Sequence, residues 1–299
     1  MVKINRKFKI VGSPVLVRYE TKTGNPVIRI RYRWDGGRIR QSTGPVNRLV
    51  GDGDSNAKLK KSGKTAYTVG LSLAPSNQAG IGNTCPNASP GCRASCLDET
   101  GLGFIWGAIA VARARKTAAC YFARRWFLDK LSKELKAAAF NAYQQQKPLA
   151  VRLNVFSDVA WERIAPELFS IKAEFYDYTK NPNRVGQLLP NYWVTFSRSE
   201  RNENAAVRVL ENGQNVAVVF SDGNTSTGRK IKSAAGRPVS KLPTTWNGFP
   251  VIDGDLTDLR YLDARGCVVG LVLKSPSSAK VAAAENSGFA LVQLWGTKK

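Results

Sequence analysis

Short apolar runs alternate with helical stretches over most of this chain, and this pattern predicts an α/β protein. Helical periodicity covers a long stretch from Ile105 to Gln145, and shorter stretches over Trp161–Phe169 and Asn202–Leu210. The strand-like runs are largely apolar, as expected for parallel strands buried on both faces. They are Tyr67–Leu73, Ala150–Val155, Glu174–Tyr178, Tyr192–Phe196, Val216–Phe220, Gly248–Ile252 and Val268–Leu273. Repeated βα units of this kind predict a full or partial (βα) barrel over residues 65–299.

Residues 1–64 show a different, strand-rich pattern and predict a small β-rich N-terminal module followed by a linker. Pro14–Tyr19 and Val27–Trp34 are strand-like, and Gly51–Lys64 is typical of an exposed linker. In the second run, period-two alternation places Arg29, Arg31 and Arg33 on one face, and Ile28, Ile30, Tyr32 and Trp34 on the other. The turn signal Asp35-Gly36-Gly37 then predicts a hairpin into Arg38–Gln41.

The charge balance points to an acidic partner. Lys and Arg outnumber Asp and Glu by 45 to 22, which gives a formal charge of +23 and an isoelectric point near 10.1. Nucleic acid, with DNA favoured over RNA, is the partner that such an excess predicts, although a solvated basic surface is the alternative. The predicted contact is the N-terminal module, where aromatic Tyr32 and Trp34 interleave with basic side chains. Those basic side chains are Arg29, Arg31, Arg33, Arg38 and Arg40.

A cysteine loop at residues 83–97 is the strongest chemical signal. It holds Cys85, Cys92 and Cys96 in a C-x6-C-x3-C spacing, and Cys120 lies in the helix that follows. The chain has no histidine, which excludes most ordinary zinc sites, zinc deaminases and histidine-based nucleophile pairs. An iron–sulfur cluster, a zinc clip of four cysteines and free thiols stay open. Three thiolates would bind three of the four irons of a cubane and leave the fourth iron open. Cys120, as a fourth ligand, would bind that iron and close the site. We expect Cys267 to be a small buried residue.

Polar residues recur where three successive strands end. In a βα barrel these positions face the active-site mouth, so the side chains would surround one pocket. Capping of the following helices is the alternative role for each of them. The residues are Asn154, Ser157, Asp158, Lys180, Ser197 and Glu200.

A strand leading into a three-cysteine loop, followed by strands ending in S-D, T-K and V-T-F-S, resembles the radical SAM enzymes over Tyr67 to Phe220. The resemblance is greatest to radical-SAM-like proteins encoded by phages. It implies that Cys85, Cys92 and Cys96 bind a [4Fe-4S] cluster whose open iron takes S-adenosylmethionine. The usual spacing in that family is C-x3-C-x2-C, and the Gly-Gly-Glu segment that commonly receives the methionine amine is missing here.

The resemblance also implies roles for the residues at the strand ends. It places Asp158, Lys180 and Ser197 near the cofactor, and radical chemistry would act on a target positioned by Glu162 or Glu200. We therefore assign Asp158, Lys180 and Glu200 as catalytic, and Asn154, Ser157 and Ser197 as cofactor-binding.

Two further readings compete with this one. The first is a non-enzymatic DNA-binding protein braced by a structural [4Fe-4S] or zinc site on Cys85, Cys92, Cys96 and Cys120. The second is a transglycosylase-like barrel that exchanges guanine in tRNA or DNA, with Asp158, Asp253 and Asp255 as nucleophile or base.

The expected cellular location rests on two features that the sequence lacks. The N-terminal ten residues have no apolar signal core, and no run of about 18 apolar residues would cross a membrane. We expect a cytoplasmic protein with no membrane contact, in the host cell if it is phage-encoded.

Overall fold

A computed structural model describes residues 8–34, 37–53, 65–96, 107–221, 242–274 and 278–292. The chain is mixed α/β and divides into two compact units. The first comprises Met1–Pro86 and Leu102–Phe175, and the second comprises Asn87–Gly101 and Tyr176–Lys299. The predicted boundary after residue 64 stays a prediction. Among the described helices, none combines the length and apolar character that crossing a membrane requires.

The strands and helices are numbered in chain order. The strands are β1 (Phe8–Ile10), β2 (Val15–Tyr19), β3 (Pro26–Trp34), β4 (Arg40–Pro45), β5 (Val50–Asp52), β6 (Tyr67–Leu71), β7 (Leu149–Arg152), β8 (Glu174–Thr179), β9 (Gly186–Leu189), β10 (Tyr192–Ser197), β11 (Val216–Ser221), β12 (Thr245–Trp246), β13 (Phe249–Asp253), β14 (Val268–Val272) and β15 (Leu291–Val292). The α-helices are α1 (Pro90–Ala94), α2 (Gly107–Phe122), α3 (Arg124–Gln144), α4 (Trp161–Ile164), α5 (Glu203–Glu211) and α6 (Ser278–Asn286). All the predicted strand-like runs are strands here, with ends that differ by at most three residues.

The N-terminal sheet is antiparallel and has β3 at its centre, paired with β1, β2 and β4. The predicted alternation along β3 is confirmed, because Ile28 and Ile30 are fully buried while Arg31 is exposed. The β3–β4 pairing confirms the predicted hairpin. Of its predicted turn, Asp35 and Gly36 lie outside the described residues.

In the first unit a second sheet follows, in which β6 pairs in parallel with β7, and β7 with the start of β8. Strand β5 pairs antiparallel with β6 on the other side. The predicted linker Gly51–Lys64 is therefore wrong at Gly51 and Asp52, whose backbones are used in the β5–β6 ladder. Residues 54–64 lie outside the described part of the chain.

The predicted helix from Ile105 to Gln145 is two helices, α2 and α3, and the break falls at Ala123 (φ −129°, ψ 45°). The buried positions explain the break. Ala118 and Phe127 are both fully buried, but nine residues of continuous helix would place them about 180° apart. A break turns the apolar stripe back towards the core, where Phe127 stacks on Trp161 with ring centroids 6.3 Å apart.

The predicted helix Trp161–Phe169 is also interrupted. Helix α4 ends at Ile164, and a 3₁₀ helix begins at Pro166 and runs to Ser170. Proline has no backbone N–H to donate and excludes the preceding residue from the helical region, which explains the end of α4.

In the second unit β8, β10, β11 and β14 are successive neighbours, and the pairs β10–β11 and β11–β14 are parallel. Strand β13 pairs in parallel with β14 and antiparallel with β12. Strand β9 pairs antiparallel with β10, and β15 pairs in parallel with the end of β11. Helix α5 covers this sheet through Ala206, Val209 and Leu210. The predicted barrel stays a prediction.

Candidate functional site

Cys85 lies in the first unit, where the loops after β6 and β7 meet. Its Sγ accepts a hydrogen bond from the backbone amide of Ser76 at 3.3 Å and donates one to the carbonyl of Phe156 at 3.3 Å. Thr84 fixes the same loop by donating from Oγ1 to the carbonyl of Ala74 at 2.7 Å. The thiol is half-buried, so it is held at the carboxyl ends of two parallel strands.

Asn154 shapes the loop that follows β7. Its Oδ1 accepts hydrogen bonds from Ser157 Oγ at 2.7 Å and from the amide of Val159 at 2.9 Å, and its Nδ2 donates to the Val159 carbonyl at 3.0 Å. Both Asn154 and Ser157 are buried. The polar atoms of these two side chains are thus engaged within the turn, and their role towards a cofactor stays a prediction.

Asp158 belongs to this turn and lies next to the cysteine loop. Its backbone amide donates to the carbonyl of Thr84 at 2.7 Å, and the residue is half-buried. The structure therefore brings the chain around Asp158 beside the residue that precedes Cys85, as the strand-end pattern predicts.

Cys120 and Cys267 differ from the loop cysteines in their environment. Burial raises the pKa of Cys120, on α2, to about 11, and Arg124 opposes this only in part. Burial, reinforced by Asp263, also raises the pKa of Cys267 to about 11. Both thiols are therefore protonated at neutral pH. The prediction that Cys267 is a buried residue is confirmed.

In the second unit, Glu200 holds the turn that carries Cys92. The carboxylate accepts hydrogen bonds from Ser89 Oγ and from the amide of Gly91, each at 2.7 Å. Ser89 Oγ in turn accepts from the amide of Cys92 at 3.1 Å and caps α1. Partial burial alone would raise the pKa of Glu200. The hydrogen bonds from Ser89, Gly91 and its own backbone amide, together with the charge of Arg201, outweigh this effect, so the pKa lies below its ordinary value.

Gly91 allows α1 to approach closely. A Cβ at this position would lie 2.8 Å from Phe289 Cβ and 2.8 Å from Ser287 Oγ. Cys92, the next residue, packs against the apolar cluster of α6, which includes Val281 and Phe289. Glu200 therefore positions α1 through its contacts with Ser89 and Gly91, and its predicted catalytic role stays a prediction.

Lys180 and Ser197 meet at the ends of neighbouring strands β8 and β10. Lys180 Nζ donates to Ser197 Oγ at 2.7 Å and lies 5.8 Å from the ring centroid of Phe289. Phe289 thus lies beside Lys180 and belongs to the apolar cluster against which Cys92 of α1 packs. Sequence reasoning missed Phe289, and its only local signal is its place after Gly288, whose φ is +74°.

The four predicted metal ligands are Cys85, Cys92, Cys96 and Cys120. Among the residues that the structure describes, no group of three or more Cys, Asp or Glu side chains is arranged to hold a metal ion. Cys120 is also protonated at neutral pH, as described above. The predicted cluster stays a prediction.

The aspartates of the transglycosylase reading have local partners. Asp255 forms an ion pair with Lys274 and accepts from the amide of Val272 at 3.0 Å. Asp253 Oδ1 accepts from the amide of Asp255 at 2.8 Å. These contacts close the turn after β13.

The outer face of the N-terminal sheet, defined here by Lys9, Arg29, Arg31 and Arg33, is basic. Lys9 lies opposite Arg33 in the β1–β3 register, so it shares this face. Gln41 and Thr43 of β4 lie opposite Arg31 and Arg29 and add neutral polar groups. The strands β1 to β4 contain no acidic residue.

Arg40 corrects the predicted composition of this surface. It lies opposite Tyr32 in the β3–β4 register, and paired residues share a face, so both are on the inner side rather than with Arg31. On that inner side Arg115 of α2 donates to Ser42 Oγ at 2.6 Å. Arg38 is exposed in the segment before β4. The predicted alternation along β3 already places Tyr32 on this other face, and the contact of Arg38 and Arg40 with nucleic acid stays a prediction.

Comparisons with known proteins give one match. A protein-family model described as "Gene product 88" covers residues 48–292, well over half of the chain. Searches of curated proteins and of solved structures give no significant match.

Proposed function

The chain belongs to the gene product 88 family, a phage-type family, and we propose that it binds nucleic acid through the outer face of its N-terminal sheet. The observation that carries the proposal is the register of this sheet. It collects Lys9, Arg29, Arg31 and Arg33 on one surface with no acidic neighbour in the same strands.

The spacing of these groups suits a phosphate backbone. Alternate residues of a strand recur about every 6.6 Å, so Arg29 and Arg33 are about 13 Å apart. That distance spans about four steps of one nucleic-acid strand, at 3.4 Å per step. Guanidinium groups bind phosphate oxygens in a bidentate manner and release counterions as they do so. The chain's net charge of +23 adds long-range attraction.

The experiment is a salt titration of DNA binding by fluorescence anisotropy. The test variant carries Arg29→Gln, Arg31→Gln and Arg33→Gln, and the control variant carries Lys172→Gln, Arg201→Gln and Arg208→Gln. The control residues are exposed, and both variants lose three positive charges. We expect the slope of log affinity against log salt to fall by about 2 to 3 in the test variant only. Equal losses in the two variants would mean that the sheet face is not the contact surface.

We propose a second function for the cysteine loop: ligation of a [4Fe-4S] cluster by Cys85, Cys92 and Cys96, with S-adenosylmethionine as co-substrate. Two observations support it. In the first unit β6 and β7 are parallel neighbours, as successive strands are in barrel folds, and Cys85 lies at their carboxyl ends, where barrels carry their sites. A bound cluster of this type would supply the electron for reductive cleavage of S-adenosylmethionine. In this reading Lys180 and Ser197 bind and orient polar groups of the co-substrate or target.

Anaerobic purification with metal analysis, absorption and electron paramagnetic resonance tests this second proposal. We expect iron and a spectrum that shifts on adding S-adenosylmethionine, with the iron lost in Cys85→Ala and kept in the control Cys267→Ala. Loss of iron in Cys120→Ala would favour the closed, structural cluster. Zinc in place of iron, or no metal at all, would overturn the proposal.

A further inference from the structure

We infer that helix α3 binds single-stranded nucleic acid by stacking bases on Phe140 and Tyr143. This inference rests on the proposed nucleic-acid binding and names the form of nucleic acid that the first unit would take. Two aromatic rings are exposed on one side of this helix, and the opposite side packs against the core.

The burial of α3 divides the helix into two sides. The residues that pack against the core are Phe127, Leu131, Leu135, Ala138 and Ala142. Phe140 and Tyr143 lie on the solvent side and are 61% and 78% exposed, respectively. Two neighbouring aromatic side chains that are exposed to this extent form an apolar patch of the kind that marks a binding surface.

The α3 stripe, defined as Lys133, Lys136, Phe140 and Tyr143, has a geometry suited to a strand of nucleotides. At 100° per residue these four positions fall within an arc of about 80° and extend about 15 Å along the helix. Phe140 and Tyr143 are one turn apart, with a rise of about 4.5 Å between them. Lys133 and Lys136 are exposed on the same side and would neutralise phosphates next to the stacked bases. Asp129 lies one turn before Lys133, so the basic part of the stripe begins at Lys133.

The distribution of exposed aromatic side chains supports the same partner. Within the described residues, every large aromatic side chain with high exposure belongs to the first unit, which also contains the basic outer face. They are Tyr19, Tyr121, Phe122, Phe140 and Tyr143. A patch for another protein would not require surrounding positive charge, whereas phosphates do.

Single strands fit this stripe and duplexes do not. A duplex keeps its bases paired and stacked inside, so a ring on a helix surface could reach a base face only after unstacking. Single strands present their bases freely, and stacking on aromatic side chains tolerates any sequence. If the outer face of the N-terminal sheet bound phosphates and α3 played no part, single strands and duplexes would both bind. A preference for single strands therefore tests the stacking inference separately from the proposed function.

The direct test is ultraviolet crosslinking to a single-stranded oligonucleotide that contains 5-iodouracil. Trypsin cleaves after Lys136 but not between Lys147 and Pro148, so the stripe rings fall in one peptide, residues 137–152. We expect crosslinks at Phe140 or Tyr143 in this peptide. Crosslinks confined to other peptides would overturn the inference.

Affinities give the second readout. Replacing both rings, Phe140→Ala with Tyr143→Ala, should weaken single-strand binding by about tenfold or more and leave duplex binding unchanged. Tyr143→Phe should keep full affinity because the ring remains. Leu256→Ala with Leu262→Ala is the matched control, since both leucines are exposed in the second unit.

Failures of the two proposals are distinguishable. If the wild-type protein binds neither form, the proposed nucleic-acid function fails. If it binds both forms and loss of the rings changes nothing, only the stacking inference is overturned. If sedimentation shows a wild-type dimer that loss of the rings converts to a monomer, the stripe is a self-association surface and the inference is also overturned.

Discussion

The carboxylate of Glu200 accepts a hydrogen bond at 2.7 Å from the amide of Gly91, 109 residues earlier in the chain. The same carboxylate binds Ser89 Oγ. Both interactions use a charged acceptor, and such hydrogen bonds are stronger than neutral ones. The conformation of the turn that carries Cys92 therefore depends on a residue that follows β10.

The first prediction concerns this carboxylate. Replacing Glu200 by Ala should destabilise the protein by about 1 kcal/mol, a modest value because the carboxylate is only partly buried and solvent screens it. Glu200→Gln keeps an acceptor and should lose less. Since the pKa of Glu200 is lowered in the folded state, its contribution is present above the ordinary carboxyl pKa and is lost as pH falls through the lowered value.

Urea unfolding at neutral pH measures these losses. Iodoacetamide labelling of Cys92, followed by mass spectrometry, provides the local readout and should be faster in Glu200→Ala than in wild type. Unchanged labelling of Cys92 would contradict a positioning role for Glu200.

A second prediction tests the close approach at Gly91. Gly91→Ala should cost about 1 to 3 kcal/mol, because the new methyl group meets Phe289 Cβ and Ser287 Oγ inside van der Waals distance. The urea midpoint checks this, and Ala94→Ser on the exposed side of the same helix is the control. Equal midpoints for the two variants would show that α1 is not held in this position.

The third prediction is a pH dependence at Lys116. Its Nζ donates to the carbonyl of Leu49 at 2.7 Å, and burial lowers the pKa of Lys116 to about 8 despite the nearby Glu134. Between pH 8 and 10.5 the unfolded chain keeps a proton that the folded chain has released, so stability rises with pH in this window. Relative to Lys116→Met, the wild type should gain up to about 3 kcal/mol across it.

Urea unfolding at several pH values between 7.5 and 10.5 measures this difference. Lys136→Met replaces an exposed lysine and should show no such trend. A constant difference between wild type and Lys116→Met would contradict the lowered pKa.

The fourth prediction compares two arginines on opposite faces of the N-terminal sheet. Arg31 lies on the outer face, whereas Arg40 lies opposite Tyr32 on the inner side. Arg31→Gln should lower the salt slope of DNA binding by about 0.7 to 0.9, and Arg40→Gln should leave it unchanged. Both variants lose one charge, so equal slopes would rule out the face assignment.

Sequence patterns predicted the strands well because each buried strand is a short apolar run, and that signal is local. The register of β4 against β3 was not predictable from alternation, since a one-residue slip moves Arg40 to the other face. The break at Ala123 was not predictable from periodicity, since the half-turn offset between Ala118 and Phe127 becomes informative only once both are known to be buried.

The same distinction between local and long-range signals applies to the candidate site. The pairing of Lys180 with Ser197 agrees with their common position at strand ends. The contacts of Glu200 with Ser89 and Gly91 depend on two distant segments, and no local pattern predicts them. Phe289 was missed for the same reason, since an isolated aromatic residue near the end of the chain carries no motif.

The alternation along β3 places core packing on one side of the strand and surface charge on the other. Ile28 and Ile30 are fully buried, while Arg29 and Arg31 point away from them. A substitution at the exposed Arg31 changes the charge of the surface without removing a contact of the two buried isoleucines. The electrostatic strength of this face can therefore drift in evolution, or be adjusted by engineering, at little cost to folding.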